Sequence, residues 1–150
     1  VTFLWRTAGQ PKTENAKNPF IDIKADAYYY DAVLWAVEKG ITGGTSENTF
    51  SPANNITRAE FVKMLCEAYK IDGVLINEFS DVDENEWYAP YVGGAFTMGC
   101  IKGENGVFRP NDSITRAEFA KMLALALKIP TSASESASES FIPSPTTATR

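Results

Sequence analysis

The 150-residue chain repeats itself. Phe20-Ile-Asp-Ile and Phe79-Ser-Asp-Val begin two stretches that stay in register at an offset of 59 through Tyr29/Tyr88, Gly40/Gly99 and Gly44/Gly103. After a one-residue deletion the offset is 58, and Phe50/Phe108, Pro52/Pro110, Arg58/Arg116 and Met64/Met122 follow it. A repeat of this length is one supersecondary unit whose apolar face needs a neighbour, so stacked units are expected to form the core.

Each unit reads as two helices joined by a loop. In the first unit Tyr29, Ala32, Val33, Ala36 and Val37 fall on one helical face, and Gly40 stands where a left-handed residue would end the helix. Tyr88, Tyr91, Val92, Ala95, Phe96 and Gly99 repeat the pattern, with Pro90 tolerated in the first turn. The following loops carry Gly43-Gly44 and Phe50-Ser-Pro52 in one copy, and Gly103, Gly106 and Phe108-Arg-Pro110 in the other. Second helices are expected from Thr57 to about Lys70 and from Thr115 to about Lys128.

Both second helices open on Ile-Thr-Arg-Ala-Glu-Phe. Thr57 with Glu60, and Thr115 with Glu118, have the spacing of a capping box, while Ile56/Phe61 and Ile114/Phe119 have that of a hydrophobic staple. Helix initiation explains every residue of the motif except the arginine. A cation in the first turn opposes the helix dipole at a cost of about 0.3–1 kcal/mol, yet Arg58 and Arg116 both stand there. Two explanations are open. The helix start and guanidinium together form a carboxylate site, with unpaired N–H groups aiding a bidentate fork. Alternatively, the arginines pair internally with Asp22 and Asp81, the acids of the two Phe-x-Asp stretches.

Composition excludes several classes of function. Net charge is −5 with a pI near 4.8 and no Lys/Arg run, so no nucleic-acid footprint is present. No stretch approaches the unbroken apolar length of a membrane span. There is no histidine, which removes the commonest general base, the usual zinc ligand and every His-dependent nucleophile. Asp81, Asp83 and Glu86 could supply a glycosidase pair, but they lie in a helix lead-in. Asp81 to Val92 resembles a calcium loop only at its opening, with Glu86 where glycine is required and Val92 where glutamate is required. Gly43-Gly44 and Gly93-Gly94 lack phosphate-loop spacing. The sequence therefore calls for no enzyme, no cofactor and no metal. Cys66 and Cys100 read as buried thiols, with a disulfide as the alternative.

Residues 19–72 and 73–130 are the expected repeats, the second including a short connector. Residues 1–18 hold Val1-Thr-Phe-Leu-Trp5-Arg, which matches Val62-Lys-Met-Leu-Cys66-Glu in pattern and reads as the last turns of a preceding repeat plus linker. Residues 131–150, rich in Ser, Thr, Ala and Pro, read as a flexible tail.

Five motifs in fixed order, twice over residues 19–129, resemble surface-layer homology (SLH) domains: Phe-x-Asp, the aromatic pair, the helix closing on Gly-Ile or Gly-Cys, the glycine loop closing on Phe-x-Pro, and Ile-Thr-Arg-Ala-Glu. The second copy departs from the pattern at Gly93-Gly94, where the first has Leu34-Trp35, and at Cys100-Ile101, where the first has Ile41-Thr42. The resemblance implies a mainly α fold of tandem helix-loop-helix repeats, packed as a pseudo-threefold bundle. It also implies a non-catalytic, extracellular anchor in the cell wall or S-layer of a bacterium. The implied partner is a secondary cell-wall polysaccharide ending in pyruvylated N-acetylmannosamine, bound in grooves between repeats. Self-association would complete a three-repeat assembly. In the family the arginine of Thr-Arg-Ala-Glu belongs to the glycan site, which maps onto Arg58 and Arg116. The candidate ligand set adds Asp22 and Asp81, the aromatic faces of Tyr29, Trp35, Trp87 and Tyr88, and the loop glycines Gly44 and Gly103. Thr57, Glu60, Thr115 and Glu118 are the structural caps. The alternative is a structural repeat that mediates protein assembly without glycan recognition.

Overall fold

In the computed structural model, residues 1–14 and 16–128 are described, and the Ser/Thr/Pro-rich stretch 131–150 lies outside them. Five helices are present among them: α1 (Thr2–Thr7), α2 (Tyr30–Glu38), α3 (Arg58–Tyr69), α4 (Ala89–Thr97) and α5 (Arg116–Leu127). No strand forms among the described residues, only the isolated bridges Thr57–Ser113 and Glu104–Val107. The mainly α expectation holds. No helix among the described residues is long and apolar enough to cross a membrane.

Two compact units divide the chain at Asn54/Asn55, inside the 19–72 repeat and ahead of α3. Compact units and sequence repeats therefore have different boundaries. The physical reason is that α3 packs on α4 and α5, the helices of the following repeat.

In the first unit α1 packs on α2, and Phe20, Ile23, Val33 and Phe50 form a core flanked by Val1, Tyr29, Tyr30 and Val37. Gly40 (φ 72°) ends α2 as the sequence requires. Its amide donates to Val37 O, and that of Ile41 donates to Ala36 O at 2.8 Å, the paired bonds of a Schellman motif. In the second unit Gly99 and Cys100 donate to Phe96 O and Ala95 O in the same way.

Both capping boxes form. Thr57 Oγ1 accepts from the Glu60 amide and Glu60 Oε1 accepts from the Thr57 amide; Thr115 and Glu118 repeat both bonds. The departure at Gly93-Gly94 has a packing cause. A Cβ at Gly93 would lie 1.6 Å from Val74 O, and one at Gly94 would lie 2.3 Å from Asp72 O. The bare backbone lets the connector lie directly on α4, where the Val74 amide donates to Pro90 O at 3.0 Å.

Candidate functional site

Arg58 is almost fully buried, at 6% exposure. Its Nε donates to Phe108 O at 2.8 Å, its Nη1 pairs with Glu118 Oε2, and the guanidinium lies 4.8 Å from the Phe108 ring centroid. The expected internal pairing with Asp22 is therefore corrected: the partner is the capping-box glutamate of the other repeat. Asp22 instead accepts from the Phe50 and Ser51 amides at 2.9 and 2.7 Å. Asp81, expected against Arg116, accepts from the Phe108 and Arg109 amides at 2.8 and 2.7 Å. Both acids hold the Phe-x-Pro loop in place, where Ser51 (φ 60°) and Arg109 (φ 62°) take the left-handed conformation that ordinary side chains resist.

The start of α3 also differs from the expectation of unpaired N–H groups. The Arg58 amide donates to Asp112 O at 2.9 Å and the Ala59 amide to Pro110 O at 3.0 Å, while Glu60 and Phe61 donate to Thr57. The loop of the second repeat thus caps the helix of the first. An anion meeting Arg58 would use the guanidinium, not the helix amides. At the start of α5, among the described residues, the Glu118 and Phe119 amides donate to Thr115 and the Thr115 amide donates to Glu118 Oε1. Arg116 is exposed there, and its side chain makes no ion pair among the described residues.

A cleft of about 330 Å³ opens beside Arg58. One wall is the loop of Cys100, Ile101, Lys102, Gly103 and Glu104 with Val107 and Arg109; the other is the α5 face of Glu118, Lys121, Met122 and Leu125. Four cations, Arg58, Lys102, Arg109 and Lys121, face two carboxylates, Glu104 and Glu118. In a chain of net charge −5 this local excess of positive charge is the opposite of the whole. Glu118 bridges Arg58 and Arg109. Burial works to raise its pKa, but the Thr115 amide and the two guanidiniums hold the carboxyl below its ordinary value. Burial pushes the Arg58 pKa down against the pull of Glu118, and the guanidinium still carries its charge at any ordinary pH. Cys100, Ile101, Val107, Met122 and Leu125 supply apolar surface beside these charges. The cleft thus combines an excess of positive charge with an apolar flank.

The sequence-derived candidates divide by position. Arg58 and Gly103 line the cleft, whereas Trp35 (6% exposed) and Tyr88 (5%) are core residues. Tyr29 packs on the first-unit core. Trp87 is 52% exposed, edge-on to Tyr88 at 5.4 Å and to Tyr91 at 6.5 Å, and does not line the cleft. Gly44 and Gly103 have a packing role: a Cβ would lie 2.7 Å from the Phe20 ring in one copy and 2.3 Å from the Phe79 ring in the other. Cys66 and Cys100 are buried and unbridged; burial pushes their thiols up to about 12 and about 11. Sequence reasoning missed Lys102, Arg109 and Lys121. A signal for two of them existed, since Lys102 and Arg109 occupy the positions of Gly43 and Ser51 in the first copy.

The S-layer homology domain matches residues 19–62 and 78–120. Among named proteins, the surface-layer 125 kDa protein of Lysinibacillus sphaericus is 38% identical over 115 residues, covering 73% of this chain and 10% of that protein. Exoglucanase XynX of Acetivibrio thermocellus is 36% identical over 117 residues, 77% of this chain and 11% of the enzyme. The S-layer protein sap of Bacillus anthracis is 33% identical over 118 residues, 77% of this chain and 14% of that protein. The chain thus spans about a tenth of the length of these relatives, and the same stretch recurs in proteins with otherwise different names. With both repeats matched and both capping boxes formed in the same order, the chain belongs to the S-layer homology domain family.

Proposed function

We propose that the chain is a non-catalytic module that retains a protein on the bacterial cell envelope by holding a carboxylated wall glycan in the cleft beside Arg58. The polymer class is a pyruvylated secondary cell-wall polysaccharide. The observation that carries this reading is the buried Arg58 guanidinium, fixed from below by the Phe108 carbonyl and ring and opening on a cleft with an excess of cations. A ketal carboxylate matches the donors of the fork not taken by Phe108 and Glu118. The apolar flank suits the ketal and N-acetyl methyl groups. Family membership and relatives named as surface-layer proteins support an envelope location.

One observation favours a second role for the same architecture. The second-repeat loop caps α3 and seats Arg58, while Arg116 at the start of α5 is exposed. Another repeat, from the same polypeptide or a second copy, would seat Arg116 through its own Phe-x-Pro loop and capping-box glutamate. If repeat-to-repeat contact of this kind is the whole function, glycan chemistry does not matter.

Co-sedimentation with purified Gram-positive sacculi, before and after mild acid hydrolysis of pyruvate ketals, separates the readings. Glycan anchoring requires binding that disappears on hydrolysis. Binding that survives would give the function to protein assembly, and no binding to intact sacculi would remove the anchoring reading.

A further inference from the structure

Resting on the glycan-anchoring reading, we infer that the cleft has two anion positions, and that it takes a polymer segment with a second carboxylate or phosphate on the sugar next to the ketal-bearing one. The argument starts from a difference between the repeats. Lys102 and Arg109 stand where the first repeat has Gly43 and Ser51, and both line the cleft. The loop geometry does not require the arginine side chain: Ser51 and Arg109 share the same positive φ, at 60° and 62°, and the amide of each donates to an aspartate carboxylate.

The charges do not cancel internally. Glu118 is shared by Arg58 and Arg109, and Arg109 also reaches Asp112 at 3.4 Å. Lys102 and Lys121 make no ion pair among the described residues. Glu104 is the other carboxylate lining the cleft. One ligand carboxylate at Arg58 therefore leaves Lys102 and Lys121 on the cleft rim, beside Arg109, without an ion-pair partner among the described residues. Exposed rim cations contribute little to fold stability but discriminate between ligands that do and do not present opposite charge.

Titration calorimetry with three synthetic disaccharides tests this. Each carries a pyruvyl-ketal N-acetylmannosamine linked to a neutral N-acetylglucosamine, a glucuronic acid, or an N-acetylglucosamine phosphate monoester. The wild-type chain should bind at least one charged probe about tenfold more tightly than the neutral one, and the preferred probe identifies the second group as carboxylate or phosphate. In K102G/R109S, which installs the first-repeat residues, that preference should fall to within about twofold. K102G alone keeps the test valid if the double variant melts early. A wild-type chain indifferent to the second charge, or variants that keep the full preference, would overturn the second position and leave anchoring intact. Wild-type binding to none of the three would overturn both.

Discussion

The starts of α3 and α5 have the same six residues and opposite surroundings. At α3 two carbonyls of the next repeat's loop accept from the helix amides, and Arg58 lies between the Phe108 ring and Glu118. At α5 the capping box is identical, but Arg116 is exposed. The motif therefore has two separable parts. Thr-x-x-Glu with its apolar staple starts a helix in both surroundings, because every partner is within five residues. The arginine is a long-range element, whose role depends on whether another repeat's loop meets it.

The sharpest way to break this comparison is to remove the ring that Arg58 lies on. Phe50 and Phe108 are both fully buried at equivalent loop positions, yet among the described residues an arginine lies over the Phe108 ring and none over that of Phe50. Phe108→Ala should cost about 4 kcal/mol in chemical denaturation, and Phe50→Ala about 1 kcal/mol less, the difference reporting the cation–π contact and the disturbed Arg58 seat. Equal losses would mean that the seat contributes nothing beyond core packing.

The arginines themselves come next. Arg58→Ala removes a buried cation that Glu118 and the Phe108 carbonyl both face, at a cost of about 2–3 kcal/mol because Arg109 still partners the carboxylate. Arg116→Ala should stay within about 0.5 kcal/mol of wild type. A destabilised Arg116→Ala chain would show that α5's start is engaged after all.

Acid titration of stability gives a smaller effect. The folded-state pKa of Glu118 lies below its ordinary value of 4.5. Its contribution is thus complete above the unfolded-state value and drains away as pH falls from there through the depressed folded one. Glu118→Gln retains the capping geometry, since glutamine serves at that position, but loses the charge. Its denaturation free energy should be lower than wild type near neutral pH, and the gap should narrow progressively as pH falls below the ordinary value of 4.5 and through the lowered folded one. A gap that is constant with pH would assign the loss to packing, not to the ion pair.

Local chemistry explains which parts of this structure were legible in the sequence. The capping boxes, the Gly40 and Gly99 helix ends and the tolerated Pro90 involve partners a few residues away, so type and spacing suffice. The Arg58 to Glu118 pair spans 60 residues and joins different repeats, and the same motif at Arg116 reads identically. Asp22 and Asp81 were recognisable as tying groups, but their targets are backbone amides, which no side-chain pattern announces. The division at Asn54/Asn55 was hidden for a related reason: repeats are read along the chain, whereas α3 finds its apolar neighbours in the next repeat. Lys102 and Arg109 were visible as differences between copies. Only their shared cleft makes those differences meaningful.

The other ends of α3 and α5 offer the smallest test of the same lesson. Both finish on a lysine, Lys70 and Lys128, in equivalent positions. Lys70 is left-handed (φ 54°, ψ 46°), and beyond it the Ile71 amide donates back to Cys66 O as the connector turns towards α4. Lys128 keeps right-handed geometry (φ −83°). A left-handed β-carbon costs about 1 kcal/mol, so Lys70→Gly should raise stability by about 0.5–1 kcal/mol in spite of glycine's larger unfolded-state entropy. Lys128→Gly gains nothing from the same substitution and should be neutral or slightly destabilising. Opposite signs at two lysines with equivalent sequence positions would repeat, at the C-termini, what the two arginines do at the N-termini: the residue type is local, and its energetic role is set by the backbone and neighbours it meets.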